Sequence, residues 1–343
     1  MTSIHRAMIS DISEIMEFIG KEWTADHVLS KSKELFLWQY GRQGNEELNF
    51  VLARNNKELV GILGLTFNSQ YCKTKITKDI KWLSMWKVTP EAQTGTGLRL
   101  LNLAESMFPT FGMGTVGCTI KALQIYKSLG YLTGELTHFY YPNNNHVFDN
   151  SSIYNFRSQE LHKSHKQDLD LFVEDVEQNL TFKKLNLHLN KSPEVGQFKP
   201  SGYMINRYLN HPFYKYQLKL IIDSNRSELG FIIFRVSQTP KGNVLRVLEL
   251  VMNEKATDVS SALKKLLVQN NCQYADFYTK IVHEDNTYEN GLMQVDDSMN
   301  LPNLFEPLLL QKSKKYFAIK LSQETSMQLT RGDCDQDRPN ILT

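Results

Sequence analysis

The chain has 343 residues, 41% of them hydrophobic, and a formal net charge of +2. That length suits about two domains with separate cores, and near-neutral charge argues against a dedicated nucleic-acid binder, which shows a basic face or tail. No run reaches the roughly 18 apolar residues that span a bilayer, and acidic residues interrupt the N-terminal MTSIHRAMISDISEIMEF where a signal peptide is uniformly apolar.

SIHRA (3–7) reads as a short strand, and DISEIMEFIGKEW (11–23) as a helix with Ile12, Ile15, Met16 and Ile19 on one face. KSKELFLWQYG (31–41) is a second helix stopped by Gly41. LNFVLAR and LVGILGLTF, joined by NNKE, predict a hairpin over 48–67. DIKWLSMWKV (79–88) is a further strand, followed by a glycine-rich loop and the helix LRLLNLAESMF (98–108). GMGTVGC (112–118) is a strand, IKALQIYKSLGY (120–131) a helix ending at Gly130, and LTGELTHFYY (132–141) a closing strand pair. This is a mixed α/β domain over 1–142. NNNHVFDNSS (143–152) reads as a linker. In 153–343, strands at 226–236, 243–251 and 274–279, a helix over 256–271 and a late strand KKYFAIKL (314–321) predict a degenerate second copy. Its strand-to-helix junction, VMNEKATDVSS, has no glycine loop. Four cysteines, Cys72, Cys118, Cys272 and Cys334, lie far apart without a CxxC pair, which predicts reduced thiols and a cytoplasmic location.

The loop VTPEAQTGTGL (88–98) raises the functional question. Small residues between a strand and a helix aim several backbone N–H groups at one point, and the helix dipole adds positive charge, which suits a pyrophosphate. A tight turn is the plainer alternative. A Walker loop is excluded because no Lys follows Gly97, and a dinucleotide fingerprint because GTGLRL lacks a third glycine and follows a late strand. Val88-Thr89-Pro90-Glu91-Ala92-Gln93-Thr94-Gly95-Thr96-Gly97 resembles the V-x-P-x-x-[Q/R]-x-x-G-x-[G/A] motif of the GNAT superfamily of acyl-CoA-dependent N-acyltransferases. Gln93 stands two residues before Gly95 instead of three, so either the loop is one residue shorter or Ala92 takes that place. Downstream, Thr119 to Tyr131 (TIKALQIYKSLGY) resembles the family's N-x-x-A-x-x-L-Y-x-x-L-G-F. The resemblance covers about residues 1–142.

It implies acyl-CoA as cosubstrate, with the pyrophosphate on the amides of Gln93, Thr94, Gly95, Thr96, Gly97 and Leu98. It further implies pantetheine pairing along Lys81–Val88, an acyl carbonyl polarised by a main-chain N–H near Trp86, Lys87 and Val88, and Thr119 at the family asparagine. Tyr126 falls at the tyrosine that protonates the departing thiolate; packing on an amphipathic helix is its other reading. No general base is visible in DIKWLSMWKV, and His138 is the next candidate.

On the acceptor side, His27, Trp38 and Tyr40 lie where the family forms its pocket. RYLNHPFYKY gathers Arg207, His211 and Tyr214, a cation and rings that suit a phosphate and a base. GDCDQDRPN supplies Asp333, Asp335 and Arg338. Its alternating acids lack the glycine and glutamate of a calcium loop, so no metal is expected. The whole resembles two-domain bacterial N-acyltransferases acting on dTDP- or UDP-linked amino sugars for surface polysaccharide, with acetyl or a larger acyl group such as 3-hydroxybutanoyl. The competing expectations are a protein, lysine or polyamine amine as acceptor, and a CoA-binding sensor without turnover.

Overall fold

The computed structural model describes residues 2–42, 44–73, 75–107, 109–143, 170–255, 257–284, 291–296, 299, 301–302, 308–309 and 313–342. The expected linker therefore lies outside the described residues beyond Asn143.

The first half follows the predicted order: β1 (Thr2–Met8), α1 (Ile12–Glu22), α2 (Val28–Lys31), α3 (Lys33–Tyr40), β2 (Glu47–Asn55), β3 (Glu58–Phe67), β4 (Ile80–Val88), α4 (Thr96–Ser106), β5 (Gly112–Cys118), α5 (Ile120–Ser128), β6 (Leu132–Glu135) and β7 (Thr137–Pro142). Helix α1 buries Ile12, Ile15, Phe18 and Ile19, the face its spacing marks out. Helix α4 buries Leu100, Leu101 and Ala104. Its last carbonyls are capped from the sheet: Lys81 Nζ donates to Ala104 O (2.7 Å), Glu105 O (3.2 Å) and Met107 O (2.5 Å).

The second half contributes β8 (Phe172–Asp175), α6 (Thr181–Leu189), α7 (Pro193–Gly196), α8 (Ser201–Met204) with a π-helical continuation over Ile205–Leu209, β9 (Gln217–Ile222), β10 (Glu228–Thr239), β11 (Gly242–Met252), α9 (Ser260–Gln269), β12 (Cys272–Val282), β13 (Met293–Gln294), β14 (Tyr316–Leu321) and β15 (Met327–Thr330). Strands β8, β9, β13 and β15 and the helices over 181–209 were not anticipated.

Two mixed sheets result, ordered β1-β2-β3-β4-β5-β14-β6 and β13-β7-β12-β11-β10-β9-β8. Each is an antiparallel four-strand meander joined in parallel, through one crossover helix, to a fifth strand. The repeat is thus real at the level of strand order. The closing strands, however, are exchanged. β14 from the second half sits between β5 and β6, while β7 from the first half pairs with β12. The expected closing pair over 132–141 is therefore two strands in different sheets. Only Leu136 separates β6 from β7, too few residues for even a two-residue hairpin, so the chain runs on into the other sheet. Sheet membership crosses the 142/153 division in both directions.

In the first sheet β4 and β5 are paired only over Ile80–Trp82 and Gly112–Gly114, and then part. The equivalent opening in the second sheet is filled. Thr279 of β12 pairs with Thr137 of β7 on one side and with Thr330 of β15 on the other, so β15 lies where β11 has left β12.

Candidate active site

The notch between β4 and β5 is shaped by two bulges. Ile62 pairs with Lys87 and Gly64 with Ser84, so Met85 and Trp86 together face one residue of β3, and Met85 takes φ 45°. A bulge of this kind frees ladder amides and turns the strand. On β5, Val116 and Cys118 pair with consecutive residues of β14, leaving Gly117 unpaired at φ 82°. A Cβ on Gly117 would lie 2.0 Å from Gln336 Oε1, so the glycine both adopts the positive φ and leaves room for that side chain.

At the open end of β4 stands the predicted loop. Gly95 is the residue before α4, with φ 86° and nothing within 4 Å of an added Cβ. Thr96 Oγ1 donates to Gln93 O at 2.6 Å and so closes the turn. The amides of Gly95, Gly97 and Leu98 make no hydrogen bond among the described residues. The side chains of Gln93 and Thr94 are exposed. Free amides at a helix start beside a glycine in open space fit a pyrophosphate.

Trp86 packs between Gly97, whose added Cβ would sit 3.4 Å from the indole, and Tyr126, at 5.6 Å between ring centroids. Val88 packs on the same glycine and on Gly61. Lys87 turns away: its Nζ donates to Glu22 O at 3.2 Å. Thr119 caps α5 by accepting from Ala122 N at 3.3 Å. Tyr126 is 1% exposed, 5.1 Å from the Tyr131 ring, and its hydroxyl has no hydrogen-bond partner among the described residues. Burial holds its pKa well above the usual phenol range, so the hydroxyl keeps its proton. The packing and proton-donor readings of Tyr126 are thus compatible.

On the other side of the notch lies the C-terminal segment, which is folded and not merely appended. Cys334 donates to Leu83 O at 3.4 Å, placing residues 334–336 across the notch. Gln336 Oε1 accepts from Lys315 Nζ at 3.1 Å, and Asp335 pairs with Arg338 at 3.4 Å. Their charges lie beside His27 and Tyr40. Gln39 Nε2 donates to Tyr40 Oη (2.9 Å), which shares a 3.0 Å bond with Ser84 Oγ, next to the β4 bulge. His27 accepts Leu29 N–H on Nδ1, and burial, followed by the Arg338 charge, pulls its pKa down to about 4. Burial, then the Arg331 and Arg246 charges, pulls Lys315 down to about 7.

Other predicted acceptor residues are committed inside the fold. Arg207 bonds Asp337 at 2.5 Å, and Tyr216 donates to the other oxygen of that carboxylate. Asp333 lies with Glu249 around Lys199, all fully buried. Tyr214 donates to Ile341 O at 3.2 Å, and His211 accepts from Phe213 N and Tyr214 N. The Trp38 ring packs at a tilt against His211, 4.1 Å between centroids. These groups anchor the tail, which corrects the expectation that Arg207 and Asp333 face a ligand: burial with a matched partner leaves neither charge free. His138, on the exchanged β7, stacks on Tyr278 at 3.9 Å and lies 3.5 Å from Asp276, in the second sheet. Ser84, Lys315 and Gln336 were missed, because their relevance depends on strands that no local pattern brings together. All four cysteines are free. Among the described residues no helix is long and apolar enough to cross a membrane, and no group of three metal-ligating side chains occurs.

No protein-family model matches the chain, and no curated protein matches it in sequence. Solved structures do match. A GCN5-related N-acetyltransferase from Anabaena variabilis is 15% identical, with 94% of this chain and 73% of that chain covered and a TM-score of 0.53. One from Kribbella flavida is 12% identical, with 94% and 72% covered and a TM-score of 0.53. A GCN5-related glucosamine N-acetyltransferase region of a fungal multi-domain β-N-acetylglucosaminidase is 12% identical, with 80% and 35% covered and a TM-score of 0.51. The chain therefore shares the fold of GCN5-related N-acetyltransferases, a GNAT fold in the first half followed by a second, GNAT-like half.

Proposed function

We propose that the protein is an acyl-CoA-dependent N-acyltransferase whose acceptor is the amine of an amino sugar, carried on a nucleotide and attacked directly. The observation that supports this best is the notch itself. It is flanked by the free loop amides on one side and the polar tail cluster on the other, with the unpartnered Tyr126 hydroxyl beside it. The amides of Gly95, Gly97 and Leu98 hold the pyrophosphate. An N–H freed by the bulge at Met85 and Trp86 stabilises the oxyanion that forms as the amine adds to the thioester carbonyl. Asp335 takes the proton that the amine loses. Tyr126 gives its proton to the departing sulfur, so that an amide and a free thiol leave the site.

Direct attack is preferred over an acyl-enzyme because burial pushes the thiol of Cys118 up to about 11 and holds that of Cys334 well above the usual thiol range, which suppresses the nucleophilic thiolate. An amino sugar suits a pocket lined by a carboxylate, a hydroxyl and amides, and the fungal neighbour is described as acting on glucosamine. The test is thiol release from acetyl-CoA with glucosamine, a UDP- and a dTDP-linked amino sugar, spermidine and a lysine peptide. Faster release with the nucleotide-linked sugars is expected. Release only with the peptide or spermidine would overturn the acceptor, and no release with any amine would overturn the enzyme.

A further inference from the structure

Strands β4 and β5 part after Trp82 and Gly114, and the gap that opens there has a floor. Cys334 supplies it. Its Sγ donates to Leu83 O on β4 at 3.4 Å and also meets the main chain of Val116 on β5. The side chain is 6% exposed and packs with Ile80, Trp82 and Val116, residues of both strands. Its backbone holds φ 61°, in the left-handed region that most L-residues avoid.

Gln336 closes the β5 side of the gap. Its Oε1 and Cδ lie 2.0 and 2.1 Å from the position that a Cβ on Gly117 would take. Both ends of its amide are tied. Oε1 accepts from Lys315 Nζ at 3.1 Å, and Nε2 donates to Asp335 Oδ1 at 3.2 Å. The space past the β4 bulge is thus bounded at its closed end by a sulfur and along β5 by a fixed amide.

The reading of the notch as an acyl-CoA site, on which this inference rests, gives that space a direction. With the pyrophosphate after Val88 and the oxyanion N–H at Met85 and Trp86, the acyl chain beyond the carbonyl runs on towards Leu83. Leu83 is two residues before Met85, roughly 7 Å at about 3.3 Å per residue. Contact with the Cys334 sulfur takes up about 4 Å of that. About 3 Å remains, the length of two carbon–carbon bonds. We infer that Cys334 and Gln336 set the length of the acyl group, admitting acetyl and excluding a chain as long as hexanoyl.

The full chain is titrated calorimetrically with coenzyme A, acetyl-CoA and hexanoyl-CoA. Hexanoyl-CoA should bind at least about tenfold more weakly than acetyl-CoA, because forcing extra methylenes into a filled space is unfavourable. Cys334→Gly removes the sulfur and suits the positive φ, and it should narrow that ratio severalfold. Gln336→Ala, which leaves the β4 side intact, should narrow it as well, and melting curves establish that each variant is folded. Equal binding of acetyl-CoA and hexanoyl-CoA by the unaltered chain, or a ratio that neither variant changes, would overturn the assignment and leave the CoA site standing. Binding of none of the three would overturn the CoA reading itself.

Discussion

Tyr126 is buried as a core residue, and its hydroxyl beside the notch has no hydrogen-bond partner among the described residues. Tyr126→Phe preserves the ring contacts with Trp86 and Tyr131, so stability should hold while kcat falls by about 10²-fold, the lower end of general acid contributions. KM for acyl-CoA should be unchanged, and steady-state kinetics with chemistry rate-limiting will check both. Lys315 gives a pH signature. Its usual pKa of 10.5 is pulled down to about 7 by burial and by Arg331 and Arg246. Between pH 7 and 10.5 the unfolded chain therefore holds a proton that the folded chain has released. Stability should rise with pH across that window, and the full penalty of charging the buried amine should be felt below it. Urea unfolding at pH 7 and pH 9 tests this: Lys315→Met should flatten the rise, and an unaltered slope would reject the assignment.

Among the elements, the start of α4 and the C-terminal segment carry the proposed site. Gly95→Ala meets no neighbour but must adopt φ 86°, a strain of about 1–2 kcal/mol for an L-residue. It should raise KM for acyl-CoA several-fold with little loss of melting temperature, and calorimetry with CoA separates the two effects. The segment after β15 is held by Lys199, whose Nζ reaches Glu249 at 3.0 Å and Asp333 at 3.1 Å. Lys199→Met would leave two buried carboxylates without their cation. Breaking such a group by removing one partner costs about 3–5 kcal/mol, measurable by denaturant unfolding. The tail should loosen with it, and activity should fall before the fold is lost.

At the scale of the molecule, the two sheets are complete only together. Residues 1–142 alone lack β14, which leaves β6 without a neighbour and β5 with an open edge next to the site. That fragment should show no cooperative unfolding transition, whereas the full chain should. Calorimetry on the full chain should give one CoA per chain, because β15 occupies the second opening. Two sites per chain would contradict that packing.

Most first-half elements were legible because their signals are local. The spacing of Ile12, Ile15 and Ile19 defines α1, two apolar runs around the polar NNKE turn define β2 and β3, and Gly95 and Gly97 mark the loop where α4 begins. The loop, Trp86 and Tyr126 were legible for the same reason. What the tertiary structure alone decided is non-local. LTHFYYP and KKYFAIKL both read as strands, but nothing in either says which sheet takes it, and the structure exchanges them. Arg207 and Asp333 read as ligand-facing charges, since a sequence shows a charge but not its partner across 130 residues. Asp335 reached the notch only because β15 fills the second sheet and turns the chain back towards Leu83. Periodicity and turn chemistry act over a few residues, and the sequence by itself determined most first-half elements and the glycine loop. The pairing of strands and buried charges is settled by which surfaces exclude water together, and that is a property of the folded chain.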